Sequence, residues 1–122
     1  MSDPLRDREE AARAAAAGLD ATSCPTLAAF AGGYLHEELA VEHGSAAEAA
    51  WAFCHDAEPE EIAALAREWD LLESIARHLP LAEVSELLAI RFGAAWQPLS
   101  AVEIAAVGAE LRAALADPLD AD

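Results

Sequence analysis

Four histidines and 23 carboxylates are the side chains of this 122-residue chain best able to hold a metal or move a proton. The densest group is His36, Glu37, Glu38, Glu42 and His43, followed further on by His55 and Asp56. Imidazole and carboxylate suit zinc or iron. Two ligands on one helix, however, must lie three or four residues apart to share a metal. His36 and His43 are two turns apart with a helix end expected between them, and His36 and Glu37 diverge by about 100° around an axis. The simpler reading gives His36 a hydrogen bond between packed helices and places His43 and His55 near helix ends. A small metalloprotein using His36, Glu37, His43 or His55 stays as an alternative. Glu37 and Glu38 read as the polar side of an amphipathic helix, and Glu60 and Glu61 as helix-start residues. Without a pocket to separate two carboxylate pKa values, no acid–base pair is expected. The chain has no Gly-rich phosphate loop, Cys-x-x-Cys, His-Glu-x-x-His or nucleophile elbow. No catalytic residue, bound metal or cofactor is therefore expected.

The charge is more informative. Seven arginines and no lysine against 23 carboxylates give a formal net charge of −16. Between Ala14 and Ala66 there is no basic residue other than His, while Asp20, Glu37, Glu38, Glu42, Glu48, Asp56, Glu58, Glu60 and Glu61 all fall there. One reading is a solvated acidic surface that aids solubility. The other is an electrostatic footprint for a basic partner, because like charges crowded together oppose the compact state and a cationic partner relieves them. The same charge repels phosphates, so direct binding to nucleic acid or anionic lipid is not expected. No apolar run approaches the roughly 18–20 residues that span a bilayer. Residues 1–10 alternate charges and lack the order of a signal peptide. Cys24 and Cys54 read as free thiols of a reducing compartment. A soluble, cytoplasmic protein is expected.

The elements that must position these residues are helical nearly throughout. Hydrophobic residues make up 55% of the chain, but about a quarter of it is Ala, so apolar bulk is limited. Gly and Pro punctuate an all-α, compact bundle of five to six short helices. Residues 1–22 form a loosely docked Ala-rich N-terminal helix, from about Pro4 to Ala17, with Gly18 in a left-handed position after it and an i,i+4 pair of Glu9 and Arg13. Residues 23–117 form the main domain, and residues 118–122 an acidic tail. In the main domain a second helix runs from Pro25 to about Glu42, with Leu27, Phe30, Ala31, Tyr34, Leu35 and Leu39 on one stripe. Its opposite face of Ala29, Gly33, His36 and Ala40 packs closely, which offsets the cost of Gly32 and Gly33.

Ser45 and Glu48 read as a capping box for a third helix, with Ala47, Ala50, Trp51 and Cys54 on one face and Phe53 beside them. A fourth opens at Glu58-Pro59-Glu60-Glu61 and pairs Glu73 with Arg77. A fifth carries Leu81, Val84, Leu87, Leu88 and Phe92 and stops at Gly93. A second box at Ser100 and Glu103 starts the last helix, which ends before Pro118. Tyr34, Trp51, Trp69 and most leucines belong to the core on this reading, whereas Trp96, in a turn, is available to a partner.

Two runs resemble a known family. These are Leu27-Ala-Ala-Phe-Ala-Gly-Gly-Tyr-Leu-His-Glu-Glu and His43-Gly-Ser-Ala-Ala-Glu-Ala-Ala-Trp-Ala-Phe, with Glu58-Pro-Glu-Glu-Ile-Ala-Ala-Leu and Phe92-Gly-Ala-Ala-Trp-Gln-Pro in agreement. Together they are similar to the helical immunity proteins of contact-dependent growth inhibition systems, over about residues 27–115. Glu38-Leu39 stands where that family commonly has Asp followed by an aromatic, and Ala94-Ala95 replaces larger residues. The resemblance implies a protein that neutralises a toxic C-terminal domain, often a nuclease, by binding it in the cytoplasm. Its partner would be a basic toxin domain, met by Glu37, Glu38, Glu42, Asp56, Glu58, Glu60, Glu61 and Trp96. A helical scaffold that self-associates through the first helix is the other alternative, and a homo-oligomer is compatible with either reading.

Overall fold

The computed structural model describes residues 4–36 and 44–116. Within them lie six helices and no strand: α1 (Pro4–Ala17), α2 (Pro25–Tyr34), α3 (Ala46–Asp56), α4 (Pro59–Ala76), α5 (Leu81–Phe92) and α6 (Ala101–Ala116). The all-α class expected from the Gly and Pro punctuation is the one observed. No helix among the described residues is long and apolar enough to cross a membrane.

The joints follow local chemistry. Pro25 and Pro59 occupy the first turns of α2 and α4, where a missing N–H costs nothing. Ser45 caps α3, its hydroxyl accepting from the Glu48 amide at 3.1 Å. Gly93 ends α5 in the left-handed region at φ 68°. Gly18, by contrast, has no positive φ. Its amide bonds the Ala15 carbonyl at 3.1 Å, so α1 ends in a tightened turn instead of a left-handed cap. At α6 the Glu103 carboxylate reaches back to the Leu99 amide, one residue earlier than the capping-box reading with Ser100 would place it.

α4 is the spine. Leu65, Trp69 and Leu72 are wholly buried along it, and α1, α2, α5 and α6 all lie against it. Phe30 of α2 meets Trp69 edge-on at 5.9 Å and Phe53 of α3 at 5.5 Å, and Tyr34 stacks on Phe30 at 5.5 Å. The start of α2 is held from the same helix. Cys24 supplies no side-chain cap, and instead Glu68 accepts from the Leu27 amide at 2.7 Å. A carboxylate against the positive end of a helix is well placed.

α1 offers only Ala12 as a buried helical residue, with Leu19 just beyond it. Arginines supply further ties. Arg13 donates twice to Glu83 of α5, at 3.3 and 3.0 Å, besides pairing with Glu9 at 3.6 Å. Arg91 donates to the carbonyls of Ala17 and Leu19, at 3.2 and 3.4 Å, and so places a cation at the negative end of α1.

Four expectations about the helices are corrected. α2 ends at Tyr34 with Leu35 as its C-cap; Leu39 and Ala40 lie outside the described residues. Ala29, Gly32 and Gly33 are exposed, and a Cβ built on either glycine meets nothing within 4 Å. Among the described residues no close packing offsets the pair. Gly32→Ala and Gly33→Ala are therefore expected to stabilise the protein by about 0.5–1 kcal/mol each, since neither φ is positive. Chemical denaturation measures this; a loss of stability would mean that something covers this face.

On α3 the buried residues are Ala46, Ala49, Ala50 and Phe53, so Trp51 is not in the core but 56% exposed. Glu73 turns away from the expected i,i+4 partner Arg77 and pairs with Arg112 of α6 at 3.3 Å. It is buried, and Arg112 brings a second carboxylate, Asp70, to 3.2 Å.

Candidate interaction site

The corner between α3 and α4 gathers four of the eight residues expected to meet a partner. Asp56 ends α3, Glu58 is the N-cap of α4, and Glu60 and Glu61 stand in the first turn of α4. All four are exposed. Glu37, Glu38 and Glu42 lie outside the described residues, as does His43. Trp96 is half-buried and packed against the core, and its amide bonds the Leu35 carbonyl at 3.2 Å beside that of Ala95 at 2.9 Å. The end of α2 thus holds two separate segments, the Ala95–Trp96 backbone through Leu35 and the acidic corner through Tyr34.

Local forces explain why the corner is built of carboxylates only in part. Glu58, Glu60 and Glu61 face the positive end of the α4 dipole, where negative charge is favoured. Glu61 also accepts from the Glu58 amide at 3.3 Å, the returning arm of a capping box. Asp56 has the opposite setting. A carboxylate at a helix C-terminus is disfavoured, and here the Tyr34 hydroxyl donates to it at 3.1 Å. Among the described residues the arginine ion pairs go elsewhere, Arg13 to Glu9 and Glu83, and Arg112 to Asp70 and Glu73. Four exposed carboxylates fall within six consecutive residues, a crowding of like charge that physiological salt screens only in part. Their mutual repulsion is left for a cation to relieve.

Tyr34 reports on this corner. Partial burial raises its phenol above the ordinary tyrosine value, and the hydrogen bond to Asp56 and the charges of Asp56 and Glu61 raise it further. The neutral phenol is the favoured form, so its contribution to stability is complete below the ordinary value and lost as pH rises through the folded one. Tyr34 is the chain's one tyrosine, so the alkaline absorbance change of phenolate formation belongs to it. The midpoint is expected above about 10. Asp56→Asn should lower it without restoring it fully, because burial remains. An unshifted midpoint in the wild type would contradict the Tyr34–Asp56 contact.

Residues missed by sequence reasoning sit on the outer face of α3. The ring of His55 lies against Trp51, centroids 3.9 Å apart, and His55 Nδ1 donates to the Trp51 carbonyl at 2.9 Å. The available signal was Phe53. Anchoring the helix on it selects 46, 49, 50 and 53 as the buried stripe and turns Trp51 outward. Of the alternative metal set, Glu37 and His43 lie outside the described residues. Among the described residues no three His, Cys, Asp or Glu side chains converge as metal ligands. Cys24 is buried and Cys54 half-buried, both free thiols, and burial pushes both pKa values up, away from the reactive thiolate. No protein-family model, curated protein or solved structure matches the chain.

Proposed function

We propose that this chain is an immunity protein that binds and neutralises the toxic C-terminal domain of a contact-dependent inhibition toxin and catalyses no reaction of its own. The observation that carries the reading is the α3–α4 corner, where Asp56, Glu58, Glu60 and Glu61 are all exposed. A toxin domain that handles nucleic acid needs a basic cleft, and such a corner offers carboxylates where that cleft expects phosphate oxygens. The resemblance over residues 27–115 points the same way. Long-range attraction then speeds capture, while desolvated contacts at the centre of the interface slow release. On this reading the protein works in the cytoplasm of the producing cell.

The test is the association rate with a basic toxin domain, should the neighbouring reading frame encode one, followed from low to high salt. The rate constant is expected to fall by about 10-fold or more as salt rises. The quadruple variant D56N/E58Q/E60Q/E61Q should start lower and show a flatter salt dependence. A rate indifferent to salt removes the steering claim, and cells that die equally fast with and without the protein remove the immunity function.

A further inference from the structure

We infer that α1 is a strap that opens on its own from the bundle, hinged at the turn Gly18–Cys24, while the other helices stay packed. Ala12 is its one buried residue, and its one large apolar side chain, Leu5, is 69% exposed. Towards α5 the fit is incomplete. A gap of about 190 Å³ remains, with Ala16 and Ala17 on one side and Leu79, Val84 and Leu87 on the other. Atoms that border a gap lose the close contacts that hold a core together. The ties across it are polar and open to water: the side chains of Arg13 and Glu83 are 49% and 41% exposed, and Arg91 is exposed as well. Ion pairs in such a setting contribute little. Once detached, an Ala-rich helix of 14 residues is too short to persist in water, so release and unfolding of α1 are one event.

The hinge does not depend on the strap. Asp20 accepts from the Thr22 and Ser23 amides at 2.9 Å each, the Ser23 hydroxyl donates to the Gly18 carbonyl at 2.7 Å, and the Cys24 amide bonds the Asp20 carbonyl at 2.8 Å. All four bonds lie within the turn, so none is lost when α1 leaves. Leu19 and Cys24 are buried and anchor the turn in the core, and Glu68 of α4 holds the start of α2 just beyond it. Sparse packing before the turn and dense bonding within it set a boundary between two units of unequal stability. Opening then exposes Leu79, Val84 and Leu87 on the α5 side of the gap.

Amide hydrogen exchange of the full-length protein tests this. After correction for intrinsic rates, α1 amides are expected to exchange at least about 100-fold faster than those of α4, yet slower than an unfolded chain. Two substitutions push the strap in opposite directions. Ala16→Leu fills part of the gap and should slow exchange in α1 about 5-fold. Ala12→Asp puts a carboxylate into the buried contact and should remove the protection of α1. In that variant α4 should stay at least about 100-fold protected, because the open form is folded without α1. Equal exchange of α1 and α4 in the wild type overturns the strap, as does a wild-type α1 with no protection, since nothing would then be closed. So does loss of protection in α4 along with α1 in Ala12→Asp, or an Ala16→Leu rate no slower than the wild type.

Discussion

Trp69→Ala is expected to cost about 4 kcal/mol, the largest loss from any single substitution in this chain. Trp69 is 0% exposed on the central helix α4, edge-on to Phe30, with its indole N–H donating to the Ile104 carbonyl of α6 at 2.8 Å. It therefore joins three helices, and in a core so rich in alanine few neighbouring side chains are long enough to collapse into the space it leaves. Typical domains hold about 5–15 kcal/mol in total, so this loss takes a large share. Trp69→Phe keeps much of the ring and gives up the hydrogen bond, at about 1–2 kcal/mol. Urea denaturation followed by helical circular dichroism measures both. A Trp69→Ala midpoint close to the wild type would show that α4 is not the spine. Trp51→Ala is the natural control, since the same residue type on α3 should change stability by no more than about 0.5 kcal/mol.

Gly108→Ala should destabilise by about 2 kcal/mol, and the effect should reverse sign when Glu73 is removed. A Cβ at Gly108 would occupy the position of the Glu73 carboxylate oxygen. Glu73 is buried and paired with Arg112, so displacing it strands a charge where water is scarce. That penalty of about 3 kcal/mol exceeds the roughly 1 kcal/mol by which alanine is the better helix former. With Glu73→Ala the stranded charge and the clash with its carboxylate vanish, and only the flexible end of Arg112 must give way. Gly108→Ala then stabilises by about 1 kcal/mol, which makes the coupling between the two sites close to the whole penalty. Additive effects in the double-mutant cycle would refute the close approach of α4 and α6 at this point.

Segmentation was largely legible from the residues alone. α1, the start of α4 at Pro59 and the stop of α5 at Gly93 lie where Pro, Gly and helix-forming runs place them. Those signals act over one turn and need no distant partner. The acidic corner was legible for the same reason, because Asp56, Glu58, Glu60 and Glu61 are neighbours in the chain.

Rotation of each helix was not legible. Alanine fits a core or a surface equally, so a helix such as Ala46–Asp56 carries two plausible apolar stripes, and only docking against Phe30 and Tyr34 selects the one with Phe53. That choice turned Trp51 outward and gave α3 an exposed aromatic face. Pairing of the scarce cations was equally hidden. Arg112 reaches Glu73 and Asp70 across some forty positions, and Arg91 finds the end of α1 across more than seventy. Helix content and the crowding of negative charge follow from residue types and their immediate neighbours. Which faces are buried and which carboxylates are neutralised depend on distant segments meeting, and packing decided both.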